Sequence, residues 1–295
     1  MQTAESLRRT LTVTQELQSV VKTMKALAGV NIRAYEAAAH AVSDYNRTVE
    51  MGLQIALRRL PDPVIPPHGT FGKLGAIVFG SDQGMCGQLN DQVVDYASKA
   101  LAKLRRHHED QSIAVVGVRA ASQLEAHGRT IETTVQVPAS VGGITSAVEM
   151  ALGQIEEWHF KRGIEFVVLF NARPVSGAWY RIRGERLLPV DEEWIHSMRS
   201  RPWPGKTIPM FTMDETALFR ALIREYLFVS LYRAFAESLA SENASRLASM
   251  QVAERNIEDR LRSLTAESRQ LRQETITSEL LDSIAAFEAL RERRT

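Results

Sequence analysis

The chain has 295 residues, 44% of them hydrophobic, and a formal net charge of +1 from 36 basic and 35 acidic side chains. That balance excludes a global electrostatic footprint for nucleic acid or an anionic membrane surface. A single cysteine, Cys86, excludes an intramolecular disulfide and a multi-cysteine metal cluster, and no uninterrupted apolar run approaches the ~20 residues that span a bilayer.

The amino end, MQTAESLRRT, lacks the apolar core of a secretory signal, so the chain reads as cytoplasmic and soluble. All ten prolines lie between Pro61 and Pro209, and all glycines but Gly29 and Gly52 lie between Gly69 and Gly205. Proline removes a helical hydrogen bond and clashes with the preceding turn, so a chain that confines its breakers to the middle holds two long helices at its ends.

Residues 1–60 form the first of these arms. Apolar or small side chains recur at Leu7, Leu11, Thr14, Leu17, Val21, Met24 and Ala28, and the pattern continues to Leu60. Steps of three and four averaging close to 3.5 keep one seam facing a partner helix and imply left-handed supercoiling. As one helix the arm extends roughly 85 Å, too long for a core of this size to bury throughout. Gly29 and Gly52 are its two candidate points of flexibility.

The middle, residues 61–212, reads as alternating strands and helices. Short apolar runs rich in β-branched residues at 74–79, 113–118 and 164–170 predict buried strands, and helical periodicity occupies 91–106 and 143–161. That order argues for a mostly parallel sheet covered by helices. Residues 179–190 predict a hairpin or edge, Asp191 to Glu193 a solvated turn or helix start, and the proline-rich stretch 201–212 an extended connector.

The last arm, residues 213–295, repeats the long-helix pattern from about residue 215 to 290, roughly 110 Å if continuous. Ile257, Leu261, Leu264, Ser268 and Leu271 form a four-three repeat, and every basic residue after Lys206 is arginine. The expected fold is α/β: a long antiparallel coiled coil of the N- and C-terminal helices with a central Rossmann-like α/β domain. Comparable length and shared period favour pairing of the arms, although each could instead bind another chain.

Several apparent sites fail on inspection. Residues 80–90, GSDQGMCGQLN, follow a strand and precede a helix, where a dinucleotide fingerprint would sit, but Asp82 stands where its second glycine belongs. Gly205-Lys206-Thr207 mimics the end of a phosphate loop, yet Ser200 replaces the leading glycine and prolines surround it. Cys86 has no supporting histidine pattern among His68, His107 and His108, and reads as a structural thiol. The pair His107-His108 beside Arg105 and Arg106 reads as a solvated helix end. No paired-carboxylate, metal-spacing or nucleophile-base constellation survives, so no catalytic, cofactor or metal residue is assigned.

Ser81-Asp82-Gln83-Gly84-Met85-Cys86-Gly87-Gln88-Leu89-Asn90 resembles the S-D-x-G-L-C-G-x-L-N signature of the gamma subunit of F-type ATP synthases. Residues 237–256, ESLASENASRLASMQVAERN, resemble that family's E-x-L-A-S-E-x-A-x-R-M-x-A-M-x-x-A-x-x-N. Residues 272–281, RQETITSELL, resemble its R-Q-x-x-I-T-x-E-L, and Lys22-Thr23-Met24-Lys25 resembles K-A-M-K. The resemblance covers essentially the whole chain.

It implies a noncatalytic, single-copy central-stalk rotor subunit. In such a complex the paired helices form a shaft inside a ring of alpha and beta subunits, and the α/β middle forms a foot beside the epsilon subunit and the membrane c-ring. Rotation couples ion transport, hydrogen ion transport in the usual type, to ATP synthesis or hydrolysis at the cytoplasmic face of the bacterial inner membrane. By position, Arg272, Gln273 and Thr277 correspond to residues that engage beta-subunit loops, and Met24 and Lys25 to neck residues facing the beta lever. Met210, Phe211 and Thr212 should approach the membrane ring. The foot motif is carried by Ser81, Asp82, Gly84, Cys86, Gly87 and Asn90. The chain departs from the family where Asn31 removes a basic contact, where Gly29 is expected to loosen the helix locally, and where Gln88 replaces a common glycine. Such divergence is compatible with the alternate, sodium-coupled type, but ion choice resides in the membrane ring. A coiled-coil scaffold that does not rotate and a nucleotide-dependent enzyme built on the middle domain are the other readings.

Overall fold

A computed structural model describes residues 4–59, 72–104, 111–175, 179–204, 206 and 209–292. The breaker-free ends are single helices, α1 over Ala4–Arg59 and α6 over Glu215–Glu292. Between them run β1 (Leu74–Phe79), α2 (Leu89–Leu104), β2 (Gln111–Val116), α3 (Val118–Ala126), β3 (Thr133–Val135), α4 (Val141–Glu157), β4 (Phe166–Val175), β5 (Trp179–Leu188) and α5 (Glu192–Ser200). A single π-helical turn, Trp158–Arg162, extends α4 and stops at Gly163, whose left-handed φ of 64° ends the helix.

The sheet has the order β3-β2-β1-β4-β5. β1 pairs in parallel with both β2 and β4, and β2 pairs in parallel with β3. β5 returns antiparallel to β4 and forms the edge that the sequence indicated. Alternation along each strand divides the side chains between two faces. Leu74, Ala76 and Val78 of β1 pack with Val93, Val94, Ala97 and Leu101 of α2 and with Ala120 and Leu124 of α3. Ile77 and Phe79 point the other way, into a core shared with α4, Tyr35 and Ala38 of α1, and Leu231, Phe235 and Leu239 of α6. Phe79 and Phe235 meet edge to face at 4.9 Å. Burying each such aromatic contributes about 1.5–3 kcal/mol, so the sheet holds the terminal helices strongly at this level.

The chain forms two compact units, residues 28–248 and residues 1–27 with 249–295. The first contains the sheet together with the adjoining parts of both long helices, so the central body reaches further into the arms than the predicted 61–212. The cause is the apolar face of α6 between Leu227 and Ala240, which covers the sheet.

Within that unit α1 and α6 run antiparallel. Asn31 lies against Asn243, Tyr45 against Glu225, Gly52 against Leu222 and Arg59 against Glu215. A Cβ at Gly52 would sit 2.8 Å from Leu222 Cδ2, so this glycine marks a close helix-helix approach; at Gly29 nothing lies within 4 Å. Along α1 the buried positions Leu7, Thr14, Val21, Ala28 and Tyr35 recur at heptad spacing. Leu17, assigned to the seam by its apolar character, is 52% exposed. The four-three stepping from Leu7 places Gln18 on the seam instead, and Gln18 is half-buried.

Two elements escape the predicted string. α3 begins at Val118, where the apolar run 113–118 had suggested continued strand, because Gly117 turns the chain at φ 103°. β3 is too short to carry a period. Of the two readings of Asp191 to Glu193, turn or helix start, the second holds: Asp191 is the N-cap of α5 and accepts the backbone N–H of Glu193 at 3.1 Å. The His107-His108 pair and the domain boundary at residue 60 lie outside the described residues.

Candidate functional site

The loop after β1 is tied to itself before it touches anything else. Met85 and Gly87 take left-handed φ values of 62° and 58°, which bend the chain back toward α2. Asn90, in the first turn of α2, accepts the Ser81 N–H through Oδ1 at 3.0 Å and donates from Nδ2 to Ser81 Oγ at 2.8 Å. Ser81 Oγ in turn donates to the Gln83 carbonyl at 2.8 Å. Cys86 is 2% exposed, with its thiol 3.4 Å from Ser81 Oγ, so it is a packed structural thiol as its isolation predicted.

Asp82 fastens this loop to the sheet layer. Its Oδ1 accepts the Val118 N–H at 2.8 Å and its Oδ2 accepts the Val137 N–H at 2.9 Å. The first N–H groups of a helix lack intrahelical partners and carry partial positive charge, so a carboxylate at the start of α3 is favoured. The Arg119 N–H donates to the Ser81 carbonyl at 3.0 Å beside it. Only glycine fits at 117, where φ is positive and a Cβ would lie 2.7 Å from Ser81 backbone. The position that disqualified the dinucleotide fingerprint is thus the loop's anchor, and these motif side chains bond inward.

From the other side comes α6. Ser245 donates its hydroxyl to the Cys86 carbonyl at 2.6 Å, and Arg246 donates to the Gln83 carbonyl at 3.4 Å while pairing with Glu242 at 2.6 Å. Burial pushes the Glu242 carboxyl above the ordinary carboxylate range, against the opposing pull of Arg246. Burial also raises the Tyr35 hydroxyl, with the Glu242 charge adding to it. Asn31, Tyr35, Asp82, Gln83, Glu242 and Arg246 line part of a cavity of about 410 Å³. Glu242 Oε2 and Arg246 Nε are buried without a hydrogen-bond partner among the described residues. Asn31, where a basic contact was expected to be lost, donates its amide to Asn243 Oδ1 at 3.4 Å.

The other predicted contacts lie elsewhere along the helices. Met24 is half-buried, and Lys25 forms an ion pair with Glu254 of α6. Arg272, Gln273 and Thr277 are exposed, and Thr277 Oγ1 donates to the Gln273 carbonyl of its own helix at 2.8 Å. Residues 254 and 272 are about 27 Å apart along α6 at 1.5 Å per residue, so the two sets are separate surfaces. Met210 is 88% exposed and Thr212 is exposed, whereas Phe211 lies beneath the Arg59 guanidinium at 4.7 Å.

Ser245, Arg246 and Glu242 lay inside a quoted motif without an assigned role. Their signal was present in the spacing, since residues three and four apart share one helical face.

The family model for ATP synthase matches residues 3–290. The ATP synthase gamma chain of Maricaulis maris is 26% identical over 98% of this chain and 100% of its own length, and that of Thermobifida fusca 23% identical over 96% and 95%. Among solved structures, a chain of the Euglena gracilis mitochondrial ATP synthase rotor superposes with a TM-score of 0.64 at 16% identity, covering 92% of this chain and 98% of that one. A chain from the central stalk and c-ring of the Tetrahymena thermophila mitochondrial ATP synthase gives a TM-score of 0.55 at 17% identity, covering 79% and 99%. With a family match running almost from end to end, on a pair of terminal helices that pack antiparallel against a mostly parallel sheet, the chain belongs to the ATP synthase gamma-chain family.

Proposed function

We propose that this chain is the noncatalytic rotor of an ATP synthase, turning inside an alpha-beta head and coupling ion flow through a membrane c-ring to ATP synthesis or hydrolysis. The observation that carries this reading is the outer surface of the helical pair. Val13, Leu17, Val20, Leu27 and Val30 form a second apolar stripe on α1, each about half exposed or more, and Ile276, Leu280, Leu281 and Ile284 do the same on α6. Steps of three and four place the α1 residues on one face, so a helix that already buries a heptad seam presents a further apolar surface that none of the described residues covers. A surrounding sleeve of partner subunits accounts for that surface. A solvated scaffold rod would carry charge there.

Arg272 and Gln273 are forked and amide donors with exposed side chains, suited to holding beta-subunit loops at one rotary angle and releasing them at another. Met210 and Thr212 supply exposed surface for the membrane ring, and the epsilon subunit joins the foot. No helix among the described residues is long and apolar enough to cross a membrane. By its likeness to bacterial ATP synthase gamma chains, the proposed location is peripheral, at the cytoplasmic face of the bacterial inner membrane.

The test is reconstitution with the cognate alpha, beta and epsilon subunits and the membrane sector in sealed vesicles. ATP-driven ion uptake that requires this chain is the expected result. Stable assembly with a partner unrelated to ATP hydrolysis, and no ion uptake, would select the scaffold reading.

A further inference from the structure

We infer that the loop at residues 80–90 is a torque clasp, which transfers twisting load from α6 to the sheet, with Ser245 and Asp82 as its positioning residues. This rests on the rotor reading. A shaft made of two helices that merely lie on a sheet transmits torque through apolar packing, which has no preferred direction and yields by sliding. Directional bonds resist sliding, and the loop carries a buried set of them, beside the more exposed ion pairs that join Glu237 to Arg173 and Arg183 and Arg224 to Glu149 and Glu156.

On the α6 side are the Ser245 hydroxyl on the Cys86 carbonyl and the Arg246 guanidinium on the Gln83 carbonyl. Both join residues far apart in sequence, and Ser245 is 8% exposed. On the sheet side the Asp82 carboxylate takes one N–H from α3 and one from the segment after β3. Between the two sides, Ser81 and Asn90 bond each other reciprocally and stiffen the loop. The load path runs from α6 through Cys86 and Gln83 to Asp82, and from there into α3 and the end of β3. Ser81, Asp82, Cys86 and Asn90 each have a place along that path. Beside it, Glu242 Oε2 and Arg246 Nε are buried with no hydrogen-bond partner among the described residues.

The test uses the assembled complex in vesicles together with the full chain alone. Ser245→Ala removes the hydroxyl bonded to the Cys86 carbonyl, along with its contact to Tyr180, and amide exchange at residues 86–90 of the full chain should quicken by about fivefold or more while the rest of the sheet is unchanged. In vesicles the variant should hydrolyse ATP, but ion uptake per ATP should fall, and the deficit should widen as the opposing ion gradient grows. Ser245→Thr, which keeps the hydroxyl, should restore the ratio. Asp82→Asn should give the same load-dependent loss from the sheet side and serves if Ser245→Ala fails to assemble. A coupling ratio unchanged at every gradient, despite faster exchange in the loop, would overturn the clasp and leave Ser245 a stability residue. Absence of coupling in the unmodified complex would instead remove the rotor reading.

Discussion

Lys25 of α1 forms an ion pair with Glu254 of α6. Counting by four and three from Leu7 through Leu11, Thr14, Gln18 and Val21 brings Lys25 onto the seam that faces α6. The charge expected to face a beta subunit is therefore engaged within the chain. Their side chains are 35% and 16% exposed, so solvent screens the pair only partly. A double-mutant cycle with Lys25→Ala and Glu254→Ala should show a coupling of about 1 kcal/mol in urea unfolding, reduced at high salt. No coupling would mean that the two charges are solvated independently.

The two glycines in α1 should respond differently to a methyl group. Gly29→Ala meets nothing within 4 Å and should raise stability by about 0.5–1 kcal/mol through helix propensity. Gly52→Ala must displace Leu222, which cancels that gain, and Gly52→Val should lose more than about 1 kcal/mol. Thermal unfolding of the three variants gives the ranking, and a stabilising Gly52→Val would refute the close approach.

Gly117→Ala combines a positive φ with a Cβ pressed 2.7 Å from Ser81 backbone. It should cost about 2 kcal/mol or more, because neither the turn nor the backbone of Ser81 can give. Urea titration would show it as a lowered midpoint. An unchanged midpoint would mean that the Gly117 turn relaxes.

The raised Glu242 carboxyl makes stability depend on pH in a definite direction. The folded chain holds that proton more tightly than the unfolded chain, so this group's contribution falls as pH rises from the ordinary carboxylate value, about 4.3, toward the raised one. Glu242→Gln keeps an acceptor for Arg246 and should flatten that slope in urea midpoints measured against pH. A variant with the parental slope would place the titration elsewhere.

Arg272→Ala combined with Gln273→Ala should leave assembly intact and lower coupled turnover, since one charge-assisted and one neutral hydrogen bond to a partner amount to about 2 kcal/mol. ATP-driven ion uptake measured against hydrolysis reports the change. An unaltered ratio would remove these two residues from the coupling surface without touching family membership.

Both long helices were legible because breakers act locally: proline-free ends with a sustained helical period stay helical, and α1 continues through its isolated Gly29 and Gly52. β1, β2, β4 and the edge strand β5 were legible within a few residues from apolar runs and turn chemistry. α3 was not, because Val118 continues an apolar run and only the backbone angle of Gly117 separates strand from helix. Leu17 was misplaced for a related reason. Apolarity marks a residue that can be buried, whereas helical phase decides which one is.

The candidate site divides the same way. Residue order alone determined the two rods, the interposed α/β body and the family, since these depend on local propensity, period and motif. Only the tertiary structure decided that Asp82 anchors rather than interrupts a loop, that Lys25 is paired, and that Ser245 reaches Cys86. Those are contacts between positions distant in sequence, and their partners are chosen by how the helices pack on the sheet.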